Sequence, residues 1–123
     1  MTTAFWCVLA AGLLPFVATM IAKSKLGFDN SNPRAWLQSQ EGFRQRANAA
    51  QMNSFESFPL FAAAVIIAYV LQAPQGTIDQ LALGFVAARV AYIICYVADW
   101  ATVRSLCWAV GIGCTVAIFI IAA

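Results

Sequence analysis

Four mostly apolar stretches, at about residues 3–22, 50–71, 77–98 and 102–122, leave little of a 123-residue chain outside them. A membrane-crossing helix needs roughly 20 such residues, so the chain can supply four spans with short connections. A water-soluble fold would have almost no polar surface to present. Of the residues, 63% are hydrophobic and 10% charged, far from the balance of a soluble domain. The expectation is an all-α, integral membrane four-helix bundle, a single domain over 1–123.

Local signals punctuate these stretches. The first contains Pro15 and stops at Lys23 and Lys25; with no charged segment ahead of it and no small-residue cleavage site, it reads as a retained helix rather than a secretory signal. After a polar loop from Gly27 to Ser31, Asn32-Pro33 reads as an N-cap followed by proline at the first helical position. A helix from there to residue 71 would have about 39 residues and span about 58 Å, roughly twice the hydrocarbon thickness. It is therefore predicted to protrude or bend near Gly42, with only 50–71 embedded. Ala73-Pro74-Gln75-Gly76 is a turn, and the last two spans must form a tight antiparallel hairpin with Asp99 or Thr102 as cap.

Charge orients the bundle and removes several functions. Lys23, Lys25, Arg34, Arg44 and Arg46 surround the first connection, Arg104 follows the third span, and the second connection has no basic residue. The positive-inside rule then puts the first and third connections in the cytoplasm and both termini opposite. A net charge of +2 on scattered residues provides no nucleic-acid groove. Without histidine the chain lacks the commonest general base and the usual zinc ligand, so no metal is expected. Cys7, Cys95, Cys107 and Cys114 lie in apolar stretches and read as small buried hydrophobes.

Polar residues inside the spans carry the remaining information. At about 100° per residue, Arg46, Asn53, Glu56 and Ser57 share one side of the second membrane helix, and Arg44, Asn48 and Gln51 the other. An unpaired polar group in hydrocarbon is costly, so neither side can face lipid and protein or cavity must surround this helix. On the third span Arg89, Tyr92, Tyr96 and Asp99 follow i, i+3, i+7, i+10 spacing, one continuous stripe, and Arg89 and Glu56 are the expected intramembrane pair. Two readings stay open: polar glue between helices or subunits, or a ligand site at headgroup level where the stripes meet Arg104. Three short neighbours cannot cover two polar faces, which favours a homo-oligomer.

The run Arg46-Ala-Asn-Ala-Ala-Gln51-Met-Asn53-Ser-Phe-Glu56-Ser-Phe-Pro59-Leu-Phe61 resembles the second-helix signature of the MAPEG family, the membrane-associated proteins in eicosanoid and glutathione metabolism. Ala88-Arg89-Val-Ala-Tyr92-Ile-Ile-Cys-Tyr96 and Val103-Arg104-Ser105 are similar to its third helix and the start of its fourth. The resemblance implies a homotrimer, here a bacterial-type member in an inner membrane, with sites between subunits near the cytoplasmic face. Each site would take glutathione as co-substrate and a lipophilic small molecule from the surrounding lipid. The family positions around glutathione correspond to Gln51, Asn53, Glu56, Arg89, Tyr92 and Tyr96, and the thiol-activating arginine to Arg104. Where glutathione-using members carry an arginine four residues before the asparagine, this chain has Ala49, and the nearest arginine is Arg46.

The chemistry of these residue types suits that ligand. A thiol near pKa 8.5 is mostly protonated at neutral pH, and a guanidinium near a helix N-terminus favours the thiolate. Glutathione's two carboxylates and one amine call for cations, amide donors and an acidic acceptor, which Arg46, Gln51, Asn53 and Glu56 supply by type. Three functions follow: a glutathione-dependent transferase or peroxidase; a non-enzymatic lipid-binding or scaffolding trimer, consistent with Ala49; and a small proton-coupled exporter, disfavoured because the first span holds no acidic residue.

Overall fold

A computed structural model, describing residues 1–25 and 27–123, contains five helices and, among those residues, no strand: α1 (Thr3–Ala22), α2 (Pro33–Gln38), α3 (Phe43–Val70), α4 (Gln75–Val97) and α5 (Ala101–Ala122). All but α2 are long and apolar enough to cross a membrane, so the expected four membrane helices are present. Between α2 and α3 the helix is interrupted outright, where the sequence left open protrusion or a bend. Gly42 takes φ 68°, a left-handed conformation that a side chain would resist. With 28 residues, α3 is about 42 Å long, about 12 Å more than the hydrocarbon core. Its first turns, with Arg44 and Arg46, project from the basic end.

The two hairpin turns share one ending. After α3, Gln72 takes φ 57°; its N–H donates to Tyr69 O at 3.1 Å and that of Ala73 to Ala68 O at 3.0 Å. After α4, Asp99 takes φ 64°; its N–H donates to Tyr96 O at 3.1 Å and that of Trp100 to Cys95 O at 2.8 Å. This is the paired closure usually built on glycine. It also corrects the expected cap of α5. Asp99 is used in closing α4, Thr102 lies inside α5, and the N-cap position is Trp100, whose side chain caps nothing. Because a left-handed non-glycine residue costs about 1–2 kcal/mol, partly recovered by glycine's freer unfolded chain, Gln72→Gly should stabilise the protein by about 0.5–1 kcal/mol. Its melting temperature in detergent micelles should rise.

α3 and α4 form the centre, and α1 and α5 each pack against both. The main core joins Cys7 and Ala11 of α1, Phe61 and Ala64 of α3, Phe85 of α4 and Ile118 of α5. The Phe61 and Phe85 rings stack at 3.9 Å with planes 5° apart. Small residues allow close approach, as membrane helices require: a Cβ on Gly84 would stand 3.2 Å from Cys114 Sγ, and one on Gly111 3.6 Å from Arg89 Cδ. Of the cysteines, Cys7 and Cys95 are buried and Cys107 and Cys114 partly so.

At the end away from the basic residues, Asp79 Oδ1 accepts the Ala4 N–H at 2.9 Å and the Gln75 side-chain amide at 2.7 Å. Thr2 Oγ1 accepts from Phe5 N at 3.1 Å. Two of the free amides of α1's first turn are thereby satisfied, one by a residue of α4. Large apolar side chains remain exposed outside, among them Trp6, Phe16 and Met20 of α1 and Leu106, Val110 and Ile120 of α5. They form the surface that lipid or another copy of the chain covers.

Candidate functional site

Ala47, Ala50 and Ser54, spaced i, i+3, i+7, are the buried side of α3 at its basic end. Ala50 packs with Tyr92 and Ile93 of α4. That contact brings Asn53 and Ser54 to Arg89, a charged side chain only 2% exposed. Arg89 Nη2 donates to Asn53 Oδ1 at 2.8 Å and to Ser54 Oγ at 3.2 Å. The Ser54 hydroxyl in turn donates to Ala50 O at 2.8 Å, leaving its oxygen free to accept from the guanidinium. Arg89 Nε is buried with no partner among the described residues.

The expected Arg89–Glu56 pair does not form. Glu56 is two residues beyond Ser54, about 200° around the helix, so with Ser54 turned into the bundle Glu56 is exposed. Its depth is nonetheless that of Arg89. Both stand 14 residues from the far ends of their helices, Val70 and Gln75. At 1.5 Å per residue that is about 21 Å, or about 9 Å inside the basic-side boundary of a core about 30 Å thick. A carboxylate at that depth on an open helix face needs cover that one chain does not give it.

From Arg89 the stripe continues toward the basic end as an alternation of cations and rings. The Arg89 guanidinium lies 4.1 Å from the Tyr92 ring centre, and the Arg104 guanidinium 4.4 Å from that of Tyr96. The two rings meet edge to face at 5.6 Å. Each cation–ring contact contributes about 0.5–2 kcal/mol depending on desolvation. Tyr92, Tyr96 and Arg104 join Ser105 and Trp108 around a cavity of about 200 Å³. A complete small-molecule site is usually about 300–1,000 Å³, so this cavity is smaller than a complete site.

The remaining predicted residues lie elsewhere. Arg46 Nε and Nη2 both donate to Val97 O, at 3.2 and 3.0 Å, placing a cation on the last carbonyl of α4, where the helix dipole favours it. Gln51 opens on the other side of α3. With Arg34, Leu37, Gln38, Asn48, Met52 and Phe55 it lines a second cavity of about 350 Å³ between α2 and α3, and its Oε1 is buried without a partner among the described residues. Gln51 and Asn53 are about 200° apart on the helix, so one chain cannot offer both to one small ligand. The structure thus joins Asn53, Arg89, Tyr92, Tyr96 and Arg104 in one connected array, leaves Glu56 exposed beside it, and separates Gln51 and Arg46 from it.

Sequence reasoning missed Ser54, Ser105, Trp108 and the Arg34 cavity. Ser54 had a legible signal, as the third member of the Ala47, Ala50, Ser54 small-residue row. Ser105 and Trp108 had only their nearness to Arg104.

A sequence model of the MAPEG family matches residues 3–123. No curated protein and no solved structure matches the chain.

Proposed function

The chain belongs to the MAPEG family, and from that premise we propose that it is a glutathione-dependent transferase or peroxidase acting on lipophilic electrophiles or hydroperoxides, with each site completed between two copies of a homotrimer. The observation that carries this reading is the cavity formed by Tyr92, Tyr96, Arg104, Ser105 and Trp108. In it, the Arg104 cation is held by an aromatic ring near the start of α5, whose first-turn amides no side chain caps. A thiolate is the anion such a place favours, and stabilising it raises the fraction of a thiol of pKa about 8.5 that is reactive at neutral pH. The basic end of the bundle then faces the cytoplasm of a bacterial cell, on the inner membrane, where soluble glutathione meets lipophilic partners entering from the bilayer.

The second cavity supports the reading of a site shared between copies. Gln51 and Arg34 line it on the side of α3 away from Asn53, so in the trimer they serve the site of a neighbouring copy. Arg34 then supplies the carboxylate contact that Ala49 does not. An oligomer of this kind also covers Glu56, Met52 and Phe55, which a single chain leaves exposed. Arg34→Ala and Arg104→Ala should each be nearly inactive alone, whereas co-expressed in equal amounts they should regain activity. With random assembly about one quarter of the sites would hold both arginines. No recovery in mixed oligomers would exclude sharing between subunits.

Ala49 favours a second reading, a lipid-binding or scaffolding trimer without turnover. Lipid retained in native mass spectrometry, together with no glutathione binding at millimolar concentration, would establish it in place of the enzyme.

A further inference from the structure

Asn53 is the one neutral amide in the array, and its orientation decides what it recognises. A guanidinium has only N–H donors. The Asn53 atom 2.8 Å from Arg89 Nη2 is therefore the amide oxygen, and the amino group points the opposite way. That amino group donates to no protein group among the described residues, yet it is not one of the buried unpartnered atoms; Asn53 itself is half-buried. Two free N–H donors thus open on the surface of the chain, one helical turn from the exposed Glu56 carboxylate.

We propose that Arg89 is a positioning residue that never touches the ligand: by occupying the Asn53 oxygen it makes this subsite donor-only, so that it selects a carboxylate and rejects a carboxamide. The inference rests on the reading of the cavity as a glutathione site. Arg89 is suited to the role because it is anchored three ways, by Asn53, by Ser54 and by the face of Tyr92. Its burial keeps it from the ligand. A free asparagine can rotate its amide to accept or donate, and it discriminates poorly. Held by Arg89, it offers hydrogens only. A ligand carboxamide turned to it presents either its own amino hydrogens or a single weaker oxygen, whereas a carboxylate presents two charged acceptors. Glu56, acceptor-only when ionised, supplies the opposite preference one turn away. Together the two residues suit the carboxylate and ammonium of an α-amino acid group.

The test is a comparison of affinities, measured by calorimetry on the purified oligomer in detergent, for glutathione and its two mono-carboxamide derivatives. Wild-type protein should bind one derivative at least tenfold more weakly than glutathione, the scale of one charge-assisted hydrogen bond. Arg89→Met removes the donor with little change in length, and the preference should fall within about threefold because Asn53 is free to turn. Arg89→Lys should restore it, since an ammonium also only donates. A preference unchanged in a correctly assembled Arg89→Met oligomer overturns the proposal. If wild-type protein binds none of the three ligands, the glutathione reading fails instead, and the orientation is decided without ligand: in asparagine-labelled protein, NMR cross-peaks from the Asn53 side-chain N–H hydrogens to Glu56 support the proposal. The absence of those cross-peaks overturns it.

Discussion

Arg104→Ala should lower kcat/KM for glutathione conjugation by about a hundredfold, the scale seen when one preorganised donor to a developing or bound anion is removed. The effect should fall on thiol activation. Arg104 lies over the Tyr96 ring and borders the cavity that the ring helps to form. Its loss takes away the positive charge proposed to act on the sulfur, together with the contact to the Tyr96 ring, and leaves in place the buried packing of α4 on α5 at Phe85, Gly111 and Thr115, further along. The pH dependence separates this from simple misfolding. Wild-type rates should reach their plateau below the pKa of free glutathione, and those of the variant should keep rising toward about 8.5. A variant slower by the same factor at every pH would show that Arg104 does not act on the thiol.

Phe61→Ala should be the most destabilising single truncation. Phe61 is 0% exposed, and its ring on α3 stacks on that of Phe85 on α4. In water such a change costs about 3–5 kcal/mol, part transfer and part cavity. In a bilayer the transfer part nearly vanishes, because the separated helices would meet lipid as apolar as the core. The void remains: about 100 Å³ at about 24 cal/mol per Å³ gives about 2.4 kcal/mol. Unfolding in mixed detergent micelles measures it. A cost near the aqueous value would mean that the separated helices are exposed to water rather than to lipid.

The legible and illegible parts of this molecule divide by the kind of signal each leaves in a sequence. The four spans were legible because the bilayer imposes a length and a hydropathy on every one of them. The interruption at Gly42 was located by arithmetic on the membrane thickness, and the Arg89, Tyr92, Tyr96 stripe by helical periodicity. Depth was legible too: Arg89 and Glu56 do stand at one level. Their failure to pair is a matter of azimuth, which depends on the buried row through Ser54. Partners that are backbone atoms leave no signal at all. Arg46 read as a carboxylate anchor because a free arginine near a ligand site is one by type; its actual partner, the Val97 carbonyl, belongs to a residue whose side chain is irrelevant to the contact. Gln51 and Asn53, two apart in sequence, were already put on opposite sides by the helical wheel, and the structure keeps them there; only the family resemblance joined them in one site.

The bond from the Ala4 amide to Asp79 spans 75 positions of chain, and that distance sets an order on biogenesis. At translation speeds of about 5–20 residues per second, α1 is made roughly 4–15 seconds before the carboxylate that completes its first turn exists. Until then, that amide has water alone to satisfy it, at the membrane surface. Insertion of the first helix and its final fastening are therefore separate events, and the second waits for the third membrane helix to arrive.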